Sequence, residues 1–107
     1  MVECSSELDL IFAALAHPLR RDILRRGQKQ ELSVSELAQP YGLSIAAISK
    51  HIQILEKAGL ITKERRGKQQ FIFLSKTAFR DASTYLQNFD TLWNNPLHVF
   101  QSILGKL

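Results

Sequence analysis

Apolar positions in the first part of this chain recur mostly at spacings of three and four residues, which is the period of an amphipathic helix. The pattern predicts a first helix that ends at His17-Pro18, because a residue that precedes proline avoids helical backbone angles. Pro18 suits the first turn of a second helix, which we expect to run to about Arg26. A polar connection over residues 27–32 follows it.

Residues 33–58 are predicted to form two further helices around a tight turn. Ser33 begins a capping-box pattern for a short third helix, which a segment with proline and glycine closes. Ser44 is suited to cap a fourth helix, and Gly59 is placed to end it. This pair of helices has the spacing of a helix-turn-helix.

Alternation with a period of two replaces the helical pattern after Gly59. Leu60–Lys63 and Gln70–Leu74 are predicted to be strands, with a turn over residues 65–68 between them. Apolar spacings of three and four return from Thr77 to about Trp93 and predict a long last helix, after which Pro96 permits a short tail helix.

The predicted order is α-α-α-α-β-β-α, a mainly helical fold with one small β-hairpin, which is the winged helix-turn-helix. We expect a single domain over residues 1–107, because a chain of this length buries one core. Residues 33–58 form its helix-turn-helix and residues 60–74 its wing. The longest apolar run has seven residues, too few to span a bilayer, and the N-terminal residues lack a basic signal-peptide region. We therefore expect a cytoplasmic protein without a membrane partner.

The net charge of +4 is concentrated in residues 44–71, which hold six basic and two acidic residues. The rest of the chain holds eight of each, so its charges cancel. A chain that places its excess charge on one helix and one hairpin is suited to bind a polyanion there, and nucleic acid is the obvious one.

The fourth helix divides into two faces. Its broad, mostly apolar face should pack on the core and consists of Ala47, Ile48, His51, Ile52, Ile54, Leu55 and Ala58. The opposite face is small and polar where the helix begins and then carries Lys50, Gln53 and Lys57, so it can enter a major groove, where Gln53 is suited to read adenine. The alternative is an ordinary amphipathic helix whose lysines are merely solvated.

The hairpin is the second candidate DNA-binding element, because its tip is basic and suited to contact phosphates or a minor groove. Exposed hairpins also carry Lys and Arg simply to block pairing of their edges, which is the alternative reading. We assign the DNA contacts to Ser44, Ile45, Ala46, Ser49, Lys50, His51 and Gln53 in the fourth helix and to Arg65, Arg66 and Lys68 in the hairpin.

The first and last helices, residues 1–16 and 77–107, have more apolar side chains than so small a core can bury. Packing these helices against those of a second copy would bury them in a two-fold dimer, whereas a larger monomeric core is the alternative. The predicted dimer contacts are Leu8, Ile11, Phe12, Leu15, Phe79, Leu86, Phe89 and Trp93.

Three segments together resemble the ArsR family of winged-helix repressors, and they occur in the family's order. They are LAHPLRRDIL, ELSVSELAQPYGLSIAAISKHIQILEKAGLI and RRGKQQFIFL, within residues 10–74. The resemblance implies a homodimer built from the first and last helices. It also implies operator binding through the helix Ser44–Ala58, assisted by the wing.

The sequence departs from the metal-sensing members of that family. Ser33-Val34-Ser35 stands where their third helix carries a Cys-x-Cys type motif, and hydroxyls are poor ligands for soft metals. Asp81, Asp90 and His98 do not reproduce the family's other site, on the last helix. We therefore predict no metal and no cofactor.

The sequence also lacks the motifs of catalysis, namely a Gly-rich phosphate loop, paired metal-ligand motifs and a nucleophile elbow. We predict a DNA-binding transcriptional regulator without catalytic residues, a homodimeric repressor of an inverted-repeat operator. Two alternatives remain open at this stage. One is a winged-helix module that binds another protein through its aromatic last helix, and the other is a redox regulator that acts through Cys4, the only cysteine.

Overall fold

The structure, a computed structural model, describes residues 6–89. Within this range it contains five α-helices and a three-stranded antiparallel sheet, which confirms the mainly helical winged helix-turn-helix fold. The elements are α1 (Ser6–Leu15), α2 (Pro18–Lys29), β1 (Leu32–Ser33), α3 (Val34–Ala38), a 3₁₀ turn (Gln39–Tyr41), α4 (Ile45–Lys57), β2 (Ile61–Arg66), β3 (Gln69–Leu74) and α5 (Lys76–Gln87).

The sheet differs from the predicted hairpin by one strand. β3 is central and pairs with β2 on one side and with the two-residue strand β1 on the other, where Leu32 lies opposite Ile72. The sequence reading took this stretch for part of a polar connection, because two residues are too few to show alternation. β2 also extends three residues beyond the prediction, so the turn contains only Gly67 and Lys68, and Gly67 has the positive φ that such a turn requires.

Two helix ends also differ from the prediction. α2 continues to Lys29, past the predicted end at Arg26. Gly27 lies inside this longer helix. A Cβ there would lie 2.9 Å from the Cδ1 atom of Leu74 on β3, so glycine lets the helix pack closely on the sheet. The last helix ends at Gln87 with Asn88 as its C-cap, so its predicted continuation is wrong at residues 88 and 89, while residues 90–93 and the tail after Pro96 lie outside the described residues.

One apolar core joins all the helices to the sheet. Burial of a large aliphatic side chain contributes about 1.5–3 kcal/mol, and α4 contributes three of them to this core. The most deeply buried side chains are Ile23, Leu37, Ile48, Ile52, Leu55, Leu60, Ile61 and Ile72. This packing fixes which side of α4 faces outward. Among the described helices, none has the length and apolar character needed to cross a membrane.

Candidate nucleic-acid interface

Local hydrogen bonds define the start of α4. The Ser44 hydroxyl accepts a hydrogen bond from the backbone N–H of Ala47 at 3.1 Å, while Ser44 itself has an extended backbone, as an N-cap requires. Ile48, Ile52 and Leu55 are buried along one side of the helix. The cap and the buried side together hold the first turn of α4 at the surface in a fixed orientation.

The preceding helix, α3, has the predicted capping box. The Ser33 hydroxyl accepts from the backbone N–H of Glu36 at 3.2 Å, and a Glu36 carboxylate oxygen accepts from the backbone N–H of Ser33 at 2.9 Å. The bond from the Ser33 backbone N–H, with a smaller contribution from the Ser33 hydroxyl, lowers the pKa of the Glu36 carboxyl. The chain then turns at Gly42, where φ is +65°.

Long-range hydrogen bonds from α2 fix the position of this helix-turn-helix. The Arg26 guanidinium donates to the carbonyl oxygens of Leu37 at 2.9 Å and Glu36 at 3.0 Å, and it lies over the Tyr41 ring. The Tyr41 hydroxyl donates to a carboxylate oxygen of Asp22 at 2.5 Å. This bond, with a second from Arg25, lowers the pKa of Asp22, so the anionic acceptor is favoured. Sequence reasoning identified neither interaction.

The outward face of α4 carries most of the predicted DNA contacts. Ala46, Lys50 and Gln53 are exposed, Ser49 is half-buried, and Ile45 is 53% exposed at the first position of the helix. Ile54 was assigned to the core face, and that assignment is wrong, since its side chain is 41% exposed. It lies four residues after Lys50 and three before Lys57, which places it on the same strip of the helix as these lysines.

His51 lies against other side chains rather than on the outward face. Its ring centroid is 4.8 Å from that of His17, and its Nδ1 atom is 3.3 Å from a guanidinium nitrogen of Arg20. Burial lowers the pKa of His51, and the charges of His17 and Arg20 lower it further. His51 therefore lies at the joint between α4 and α2, half-buried, and its predicted DNA contact stays a prediction.

Two of the wing's cations differ in their surroundings. The Arg66 guanidinium pairs with Glu31 at 2.9 Å and with Glu64 at 3.3 Å, and it lies 5.2 Å from the centroids of the Phe71 and Phe73 rings. These hydrogen bonds, that with Glu31 foremost, raise the pKa of Arg66. Arg65, by contrast, donates only to the Gly67 carbonyl oxygen within the described residues. Arg66 therefore serves the wing's own structure.

The same distinction applies to all the basic residues of segment 44–71. Lys63 pairs with Glu56 at 3.2 Å, and Arg66 has its two glutamates. Within residues 6–89 the other four have no acidic partner; they are Lys50, Lys57, Arg65 and Lys68. Within segment 44–71, the outward face of α4 and the tip of the wing therefore carry the uncompensated positive charge.

A concavity of about 350 Å³ connects these two elements, and we call it the α4–wing cleft. The cleft is lined by Ser33, Val34, Ser35, Ile45, Ser49, Arg65, Lys68, Gln69 and Gln70. Its lining residues are of polar or cationic type, except for Val34 and Ile45. Four of the predicted DNA contacts thus come together around one depression, namely Ile45, Ser49, Arg65 and Lys68.

The predicted dimer contacts fall into two groups within the described residues. Ile11 is only 2% exposed in the single chain, so it belongs to the core and offers almost no surface to a partner. Leu86 and Phe89 are 36% and 44% exposed. Leu8, Phe12, Leu15 and Phe79 are half-buried. Trp93, the last predicted contact, lies outside the described residues.

Leu15 and Phe79 line a groove of about 790 Å³ that runs between α2, the end of β3 and α5. Phe12 packs edge-on against Tyr85, and Tyr85 against Phe89, with ring centroids 5.8 Å apart in each pair. These aromatic pairs join α1 to α5 within the chain. No group of three or more His, Cys, Asp or Glu side chains within residues 6–89 is arranged to hold a metal ion. Cys4, Asp90 and His98 lie outside that range.

Comparisons with known proteins agree with this geometry. Residues 15–64 match a family model described as a helix-turn-helix domain. The chain is 29% identical to the transcriptional repressor SdpR of Bacillus subtilis (strain 168), covering 81% of this chain and 97% of that protein. It is 38% identical to the uncharacterized HTH-type transcriptional regulator YuzN of the same strain, covering 68% and 87%. Among solved structures, the ArsR family transcriptional regulator RHA00566 has 33% identity and a TM-score of 0.77, covering 88% of this chain and 97% of that one.

Proposed function

Because this chain belongs to the ArsR family of winged helix-turn-helix transcriptional regulators, we propose that it is a homodimeric repressor that binds an inverted-repeat operator in double-stranded DNA. It acts by binding alone, without catalysis, a metal or a cofactor. The observation that carries the proposal is the surface formed by α4 and the wing, where four cations lack an acidic partner among residues 6–89 while α4 presents a face of small and polar side chains. Its relative SdpR is named as a repressor, which supports that direction of control.

Base recognition falls to the start and middle of α4. Ser44, Ala46 and Ser49 are small, so the first turns of the helix can approach the floor of a major groove. Gln53 is exposed two turns into α4 and offers an amide that can pair with the N6 and N7 atoms of adenine. Lys50 lies three residues earlier on the same face, at the distance from which a cation reaches a guanine edge or a phosphate.

The wing supplies phosphate contacts through Arg65 and Lys68. Both are exposed and lack an acidic partner among the described residues, so they can exchange water and counterions for DNA phosphates. Arg66 has a different role, since it already pairs with Glu31 and Glu64. We assign it to positioning the wing, because the Glu31 pair ties the end of β2 to the segment before β1.

The dimer surface is formed by the exposed apolar side chains of α1 and α5. Phe79 and Leu86 are seven residues apart and therefore lie on the same side of α5, beside the groove that Leu15 also lines. A second copy placed against this side would bury them and set two α4 helices at a fixed separation. Two-fold symmetry of the protein then matches the symmetry of an inverted repeat.

Selection of bound duplexes from random DNA, followed by competition binding at two salt concentrations, tests the proposal. We expect one enriched inverted repeat that binds at least about a thousandfold more tightly than random duplex at physiological salt. Lys50→Gln and Lys68→Gln should each weaken binding, whereas Lys29→Gln, which removes an exposed cation at the end of α2, is the matched control and should not. Apolar binding to another protein, insensitive to salt and without selection of a DNA sequence, would contradict the proposal.

A further inference from the structure

Ile45 is an aliphatic side chain in polar surroundings. It is 53% exposed, although it occupies the first position of a well-capped helix. The α4–wing cleft that it lines is otherwise bordered by Val34 and by polar or cationic residues, among them Ser49 and Arg65. An isoleucine there adds no hydrogen bond and leaves apolar surface in water, at a cost that a serine or threonine would avoid.

The other exposed large apolar side chains within residues 6–89 have different neighbours. Leu10 lies on α1, Leu86 lies on α5 and Phe89 follows the end of α5. All three are outside the DNA-facing elements. Ile54 is on α4 but lies one turn from both Lys50 and Lys57, whose aliphatic stems can cover it. Ile45 is thus the exposed apolar side chain at the α4–wing cleft, at the helix end that enters a major groove first.

Isoleucine can gain free energy only from an apolar contact. In the major groove, the four unmodified base pairs differ in their hydrogen-bonding groups, and the apolar group among them is the C5-methyl of thymine. We infer, on the basis of the proposed DNA-binding function, that Ile45 contacts the C5-methyl group of a thymine in each operator half-site. The operator therefore has a T·A pair opposite the start of α4, and Ile45 is a specificity-determining residue at that pair.

Replacement of thymine by uracil tests this inference directly, because it removes the methyl group and leaves every hydrogen-bonding group of the base in place. Each thymine of the selected operator is replaced in turn, at equivalent positions of both half-sites, and the dissociation constant is measured by competition. For the wild-type protein we expect uracil at one position to weaken binding about fourfold per half-site. This factor corresponds to one buried methyl group.

Two variants of Ile45 make the assignment specific. Ile45→Ala should bind the thymine operator about fourfold less tightly per half-site, and uracil at that position should cause no further loss. Ile45→Val, which is one methyl group shorter, should show a smaller uracil effect than the wild type. Ile54→Ala is the matched control, because it also truncates an exposed isoleucine of α4, and it should keep the full uracil effect.

A uracil effect of equal size in the wild type and in Ile45→Ala overturns the inference, since another side chain then contacts the methyl. Cognate binding that no uracil substitution weakens also overturns it, while a retained preference for operator over random DNA leaves the proposed function intact. Equal binding of selected and random duplex by the wild type would remove the proposed function and the inference together.

Discussion

Single residues differ in how far the sequence reveals their roles. Ser33 and Ser44 were identified as caps because capping depends on neighbours three residues away. The pairing of Arg66 with Glu31 was not predicted, because the two residues are 35 positions apart in the sequence and such pairs leave no local pattern. The neighbours of His51 were missed for the same reason, since they come from the start of α2.

The two wing arginines should respond differently to substitution. Arg65→Gln removes a cation without an acidic partner, so it should reduce the slope of log K against log salt by about one unit. Arg66→Gln should change that slope less, because two glutamates already neutralise its charge. It should instead reduce the stability of the wing, measured as faster amide hydrogen exchange in β2 and β3. Equal slopes for the two variants, both lower than wild type, would show that Arg66 does contact phosphate.

His51 should make the protein less stable in mild acid. Its pKa is lowered in the folded state, chiefly by burial, so the unfolded chain binds a proton at higher pH than the folded chain does. The free energy of unfolding therefore falls as pH drops below about 6.5, the ordinary value of histidine, and the loss ends once the folded-state pKa is passed. Urea unfolding at pH 7.5 and 5.5 measures this loss, which should be smaller in His51→Gln. An identical loss in the variant would assign the effect to another group.

At the scale of elements, the sequence predicted which helices and strands exist better than it predicted the residues at which they begin and end. α3, α4 and both strands of the wing were placed from caps and periodicity, which depend on near neighbours. β1 was missed because a two-residue strand exists only through its pairing with β3. The end of α2 was placed three residues early, because Arg26 followed by Gly27 is typical of a helix end. The packing of Arg26 against α3 and of Gly27 against β3 leaves no local pattern in the sequence.

The Ser33 capping box should contribute measurably to the stability of the helix-turn-helix. Ser33→Ala removes a buried hydroxyl that caps α3, so we expect a loss of about 1–2 kcal/mol in the free energy of unfolding. Ser35→Ala is the matched control, because Ser35 is exposed and its side chain hydrogen-bonds, among the described residues, only to the Ser33 hydroxyl. Chemical unfolding of both variants measures the difference. Equal losses in the free energy of unfolding would show that the cap contributes no more than the exposed Ser35 hydroxyl.

Charge is the property of the whole molecule that the sequence revealed most directly. Segment 44–71 carries the net charge, and in the folded chain its unpaired cations lie on α4 and the wing. Composition does not reveal which cations have an acidic partner, because Lys63 and Arg66 meet Glu56 and Glu31 only in the folded chain. Similarly, the apolar surplus of α1 and α5 was visible in the sequence, whereas the burial of Ile11 within the chain was not.

If two copies pair through α5, a charge placed on this helix should affect both dimer formation and DNA binding. Leu86 is 36% exposed, so Leu86→Glu should leave the fold intact but place an unpaired charge in the interface between two copies. We expect the wild type to sediment as a dimer at micromolar concentration and Leu86→Glu as a monomer. The monomer should bind the inverted repeat far more weakly than the dimer, because it loses the effective concentration of the second half-site. Gln87→Glu adds the same charge at the next exposed position and is the control that should remain a dimer. A wild-type monomer, or a Leu86→Glu dimer that still binds the operator tightly, would place the interface elsewhere.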